Sequence, residues 1–283
     1  VTLPTAPDSR IACVLFPDFS LNRLHAGNDQ PVVLTQTPEQ TAVVIALNKM
    51  AIQSGILIGM TLSQAEAYCG SIRRLVLDTI ADKTHIGEIA AAFSTMTPRI
   101  EIDESETGVV YVSLQGLALL YKSESKFAET LTAKAKAACL PFRIGIAGNK
   151  LLARIAAQDA KEGDYLIIEN DSQTEFLSGK SLTRLHTNAY MADLFETLGV
   201  GTIGELRNIP ANEVAARFGE HGSMLAAAAR GIDRTQLNAL RETELCRIRT
   251  CLDYAITDAE SLLLDMQAPL TAALRQLADG GRG

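Results

Sequence analysis

The chain has 283 residues, of which 47% are hydrophobic and 21% charged; this excludes wholesale disorder and supplies apolar material for two or three cores. Trp is absent and aromatics make up only 5%, so packing rests on Leu, Ile, Val and Ala. A net charge of −7 argues against a strong sequence-independent hold on nucleic acid but leaves room for a local basic groove.

No apolar run approaches the ~18 residues a membrane helix needs. The start, Val1 to Arg10, carries Pro4, Pro7 and Asp8 and lacks the basic and apolar regions of a signal peptide. Cys13, Cys69, Cys139, Cys246 and Cys251 are scattered without a CxxC, which reads as reduced, buried thiols in a cytoplasmic protein. The four histidines show no HxxxH or HExxH spacing, so no zinc site is expected.

In chain order, Ile11 to Phe16 predicts a buried strand ended by Pro17. Pro31 to Thr35 and Thr41 to Leu47 are further β-rich runs. Asn48 to Ser54 predicts a short helix stopped at Gly55, and Thr61 to Cys69 a second, with Ser63 and Glu66 fitting a capping box. Thr79 to Thr95 has helical spacing and ends before Pro98. Arg99 to Ile102 and Val109 to Leu114 predict two strands joined by an acidic turn. Ser125 to Cys139 predicts a helix, Phe142 to Ala147 a strand, Lys150 to Ala160 a helix and Tyr165 to Ile168 a last strand. The order suggests an α+β, ferredoxin-like or palm-type sheet with one face covered by helices, interrupted by a small α/β insertion.

Past Asn170 the pattern changes to short helices, Phe176 to Ser178, Tyr190 to Leu198, Ile203 to Asn208, Asn212 to Phe218 and Ser223 to Arg230. Gly199, Gly204, Pro210 and Gly219 break them. Arg241 to Thr250 reads as a linker. Ala259 to Leu277 is an amphipathic helix with nothing to cover it, which implies that the chain continues past Gly283.

The sharpest local motif is G-I-A-G-N-K-L-L-A-R-I-A-A-Q-D-A-K, Gly145 to Lys161. A strand enters a Gly turn, and the helix that follows places Lys150, Arg154 and Lys161 on one face, a phosphate site or a solvated helix face. The Gly199–Gly201 turn between two short helices offers backbone amides to a phosphate, or is a tight αα-turn. Phe176 to Ser181 ends in G-K-S, but Thr174 stands where a P-loop needs Gly. Gln115 to Tyr121 loosely resembles the short peptides that dock on sliding clamps, and its apolar density reads as a buried helix. Asp103, Glu104 and Glu106 read as a solvated acidic turn.

In their order along the chain, I-A-C-V-L-F-P-D-F, the Ala46-to-Cys69 run with its Gly55-to-Met60 step and following helix, M-T-P-R-I-E-I, V-V-Y-V-S-L-Q-G and G-N-K-L-L-A-R-I-A resemble the Y-family translesion DNA polymerases. The resemblance implies a palm over 1–27 and 79–170, fingers over 28–78, and an all-α helix-hairpin-helix thumb over 171–238. The linker and first helix of the little-finger domain would occupy 239–283. Members of this family join nucleotides with two Mg²⁺ ions held by carboxylates. The resemblance puts Leu15, Gly108 and Val109 at the three carboxylate positions. It puts Lys49, Ile52 and Ser20 at the triphosphate and sugar contacts, and His186 to Asn188 at the first thumb hairpin. Only Lys161 matches a family phosphate contact.

Asp18 follows Pro17 and falls on the opposite side of the strand from Leu15, and the 103–106 turn is expected at the far end from the metal site. These departures predict a chain that is not an enzyme, binds no metal and needs no cofactor. Its expected role is a DNA-associated adapter in damage-induced, error-prone translesion synthesis and DNA repair. DNA would be held weakly through Lys150, Arg154, Lys161, Gly199 and Gly201. The resemblance also implies a sliding clamp, an error-prone replicative-type polymerase and a RecA-like accessory protein as partners, reached through residues beyond 283, and a nucleoid-associated cytoplasmic location. The alternatives are an active polymerase that recruits Asp18, Asp103, Glu104 and Glu106, and an interaction protein independent of DNA.

Overall fold

A computed structural model describes residues 10–24, 27, 29–185, 189–239 and 259–279. The chain divides between Ala239 and Leu240 into two units. The first begins with β1 (Ile11–Leu15) and α1 (Phe19–Arg23). A small lobe follows, of β2 (Val32–Thr35), β3 (Val44–Leu47), α2 (Lys49–Gln53), α3 (Leu62–Tyr68) and β4 (Arg73–Val76). The main layer resumes with α4 (Thr79–Ser94), β5 (Ile100–Ile102), β6 (Val109–Ser113), α5 (Ala118–Tyr121) and α6 (Glu124–Lys136), then β7 (Arg143–Ala147), α7 (Lys150–Asp159) and β8 (Tyr165–Ile167).

β1 is the middle strand of a five-stranded sheet in the order β5-β6-β1-β7-β8, antiparallel to both β6 and β7. All of its residues are buried, as its unbroken apolar run requires. Side chains alternate between the faces. Ala12, Val14 and Phe16 join Ile86 and Phe93 of α4 and Phe127 and Leu131 of α6, while Ile11, Cys13 and Leu15 join the buried side of α7 and the helices beyond it. Helices therefore cover both faces, where the sequence pattern suggested one. The second layer is possible because α7 buries Ala153, Ala156 and Ala157, and the backbone of Ala153 and Ala157 lies so close to Gly145 that no side chain fits there.

In the small lobe the strand order is β3-β2-β4, with β4 parallel to β2. The capping box of α3 is formed by Thr61 and Gln64, not Ser63 and Glu66. Thr61 bridges to Val43, which holds it extended and places Ser63 inside the first turn.

After β8 come α8 (Gln173–Ser178), α9 (Ala189–Thr197), α10 (Ile203–Asn208) and α11 (Ala211–Ala228). Gly204 does not break a helix: it lies inside α10, where a Cβ would come within 2.7 Å of the Ser178 carbonyl oxygen, and so serves close packing. Gly219, at φ +61°, does divide α11. In the second unit, α12 (Ala259–Asp279) leaves Leu263, Leu264 and Leu270 exposed. The expected linker (241–250) and the Gly-rich end (280–283) lie outside the described residues. No helix of the described residues is long and apolar enough to cross a membrane.

Candidate nucleic-acid interface at the end of the central sheet

Leu15 pairs in register with Val109, and the Phe16 N–H donates to the Gly108 carbonyl oxygen at 2.8 Å. Leu15 and Val109 are buried in one apolar cluster. Gly108 is also buried, at φ +92°, with a position for Cβ only 2.6 Å from the Phe16 carbonyl oxygen. These three residues thus provide no side-chain oxygen ligand. Among the described residues no group of three or more His, Cys, Asp or Glu side chains is placed to hold a metal, and the divalent ions of the fold family do not fit the donors present.

The 103–108 turn lies at this end of the sheet, not at the far end. The antiparallel register requires it, because the turn leads directly into Val109, and the Asp103 N–H donates to the Val109 carbonyl oxygen at 3.0 Å. Two of its acids approach α7. Glu106 forms an ion pair with Arg154. Asp103 accepts from the Ser105 hydroxyl at 2.6 Å and from the Ser105 N–H at 2.8 Å. Burial opposes the Asp103 charge, but these bonds, the Glu106 N–H and the Arg154 guanidinium outweigh it and hold the carboxyl below its ordinary range. Asp18, at φ +47°, precedes α1.

The lowered Asp103 pKa makes the unfolded chain bind more protons in acid. Its stabilising contribution is therefore fully present above the ordinary carboxylate value of about 4 and is lost as pH falls through the folded-state value. Urea unfolding of wild type and Asp103→Asn across pH 2–6 should show a difference that is largest above pH ~4 and shrinks in acid. A difference constant with pH would refute the assignment.

Glu101, on β5 opposite Tyr111, was not singled out from the sequence. Its Oε1 lies 2.6 Å from Lys150 Nζ, and its Oε2 accepts the Asn238 N–H at 2.7 Å. Alternation in I-E-I was the available signal, since it turns Glu101 away from the face that Ile100 occupies. Lys150 also lies 4.7 Å from the centroid of the Tyr111 ring. Lys150 and Glu101 side chains are only 11% and 13% exposed. Burial pushes both the Cys13 thiol and the Tyr111 hydroxyl well above their ordinary values, so both stay protonated at neutral pH.

A cavity of about 750 Å³ opens beside this cluster, lined by Tyr111, Lys150, Arg154, His221, Asp233 and Arg234, with Leu225 and Ile232 among its apolar walls. Asn149 caps α7 by accepting the Leu152 N–H at 2.9 Å and donates to the Gly231 carbonyl oxygen at 2.8 Å. Asp233 accepts the Leu151 N–H at 3.1 Å, which fastens the segment after α11 to the start of α7.

Lys150 and Arg154 are therefore brought together, but Lys161 is not on their face. α7 ends at Asp159, and Lys161 is exposed beyond it. Gly199 (φ +71°) and Gly201 are exposed in the α9–α10 turn. The amides of Gly201 and Thr202 donate to Glu205 Oε2 at 2.8 and 2.9 Å, and these bonds lower the Glu205 pKa. The first hairpin position, 186–188, lies outside the described residues.

At the expected nucleotide positions, Ser20 bonds to buried Asp82, which Arg23 also pairs with, while Lys49 and Ile52 are exposed. The Gln115–Tyr121 segment is not a buried helix. Gly116 (φ +83°) and Lys122 (φ +61°) turn the chain at either end of α5, leaving Leu119 96% exposed while Tyr121 packs edge-on against Phe127. Cys139 is likewise exposed, whereas Cys13 is buried; Cys246 and Cys251 lie outside the described residues.

The fold is that of a Y-family polymerase. DinB from Sulfolobus solfataricus aligns with a TM-score of 0.68 at 16% identity, covering 81% of this chain and 69% of that one. A Dbh–Dpo4 Y-family DNA polymerase chimera aligns with a TM-score of 0.67 at 16% identity, covering the same shares. The model of the impB/mucB/samB family matches residues 20–158. The DNA polymerase IV of Shewanella oneidensis is 26% identical over 258 residues, covering 89% of this chain and 70% of the relative. That of Yersinia pseudotuberculosis is 28% identical over 260 residues, covering 88% and 72%. The chain is Y-family DNA polymerase-like. Relatives named for an enzyme overturn the expectation, drawn from Leu15, Gly108 and Val109, that the chain is not one.

Proposed function

We propose that this chain engages primer–template DNA in translesion synthesis and repair. It would act there as a DNA-associated adapter among the clamp, the error-prone replicative-type polymerase and the RecA-like accessory protein. That role stands whether or not the chain also adds nucleotides. The observation that carries DNA engagement is the convergence of Lys150, Arg154, His221 and Arg234 on one cavity at the Leu15 end of the sheet. Lys161 and the Gly199–Gly201 turn would add backbone phosphate contacts, and a nucleoid-associated, cytoplasmic location follows from the same role.

The second reading is templated nucleotide addition. Relatives named DNA polymerase IV favour it. Binding of a labelled primer–template at low salt tests the first reading. Affinity should fall at least tenfold in Lys150→Glu with Arg154→Glu and fall with salt in the wild type. Equal affinity in the variant would overturn the phosphate contacts. Primer extension on the same duplex with Mg²⁺ or Mn²⁺ measures nucleotide addition directly.

A further inference from the structure

The groups that the sequence offers to DNA phosphates are largely held by the chain's own carboxylates. Glu101 holds Lys150, Glu106 holds Arg154, and Glu205 takes the Gly201 and Thr202 amides. Asp233 takes an amide at the start of α7. These acids come from a sheet edge, a turn, a helix and the segment after α11. Lys150 and Arg154 nevertheless line an open cavity, so a phosphate that reaches them competes with an acid already in place.

We propose that Glu101 and Glu106 set the DNA affinity of this chain as internal counter-ions, so that duplex phosphates must displace them before Lys150 and Arg154 bind it. This rests on the DNA reading above and concerns the control of that same site. Two cations already paired with carboxylates release fewer counterions when DNA binds, so the masked protein binds more weakly and with a shallower salt dependence than an unmasked chain would. The Asn238 N–H bond to Glu101 holds one counter-ion in position from outside the sheet.

The test measures affinity for a labelled primer–template duplex between 50 and 200 mM salt, using the full chain. The proteins are wild type, Glu101→Gln with Glu106→Gln, and Lys150→Gln with Arg154→Gln. Unmasking two cations should tighten binding roughly tenfold at low salt and steepen the slope of log affinity against log salt by about 0.9 per freed cation. The Lys/Arg variant should bind more weakly and with a shallower slope than wild type. If the carboxamide variant matches wild type while the Lys/Arg variant weakens, the masking proposal falls and the DNA reading stands. If the Lys/Arg variant binds as wild type does, both fall.

Removing one partner of a buried pair is destabilising, so a melting curve accompanies each variant. The single Glu106→Gln variant, at the more exposed pair, provides the same readout with a slope change near 0.9. An unchanged slope in that variant also overturns masking at Arg154.

Discussion

Replacing Gly108 by Asp should cost about 4 kcal/mol or more, although an acid at this position is what the family resemblance calls for. Gly108 adopts φ +92°, and holding an L-residue in such a region costs about 1–3 kcal/mol. A Cβ there would lie 2.6 Å from the Phe16 carbonyl oxygen and 2.7 Å from Phe19 Cβ, so backbone and ring must both shift. The carboxylate would also enter a buried, largely apolar surrounding. Thermal unfolding should show a drop on the order of 10 °C. Gly108→Ala separates the causes, because it keeps the strain and the clash without adding charge. A Gly108→Asp protein within 1 kcal/mol of wild type would show that the turn can rearrange.

Arg10→Ala is expected to lose about 3–5 kcal/mol, the range for breaking a buried ion pair from one side. Arg10 is 7% exposed and meets Glu124 through two bonds of 2.6 Å. Its guanidinium also donates to the Ile168 carbonyl oxygen at 2.8 Å and to Asn170 Oδ1 at 3.1 Å. One side chain thereby joins the start of β1, the first turn of α6 and the chain leaving β8. Arg10→Lys should recover only part of the loss, since an ammonium cannot match the two carboxylate oxygens with a planar fork. Urea unfolding midpoints measure both, and an alanine variant within 1 kcal/mol of wild type would remove Arg10 from this structural role.

The strands of the main sheet were legible because Ile11 to Phe16, Val109 to Leu114 and Phe142 to Ala147 are apolar runs that only a sheet covered on both faces can bury. β4 was not. Arg73-Arg74-Leu75-Val76 is an edge strand that is mostly exposed, so neither alternation nor an apolar run marks it. Thr61-x-x-Gln64 and Ser63-x-x-Glu66 fit the same capping pattern, and a bridge to Val43 decides between them.

The candidate site was legible in part for the same kind of reason. Helical spacing placed Lys150 beside Arg154, but the partner of Lys150 lies 49 residues away, on a strand whose pairing fixes it. Exposure was also beyond local pattern: Leu119 belongs to an apolar heptapeptide, yet the two left-handed residues around it keep that peptide from packing flat.

The position of β1 has a consequence for how this protein is made. Its hydrogen-bonding partners on the two sides are Val109–Ser113 and Arg143–Ala147, so this strongly apolar strand is synthesised well before either neighbour and is enclosed on both edges only once Ala147 has been made. At ~5–20 residues per second, that strand waits roughly 7 to 26 seconds on the ribosome before its second neighbour emerges. An exposed pair of strand edges over such an interval invites aggregation. Chaperone supply during translation should therefore limit the yield of soluble protein more than the stability of the finished fold does.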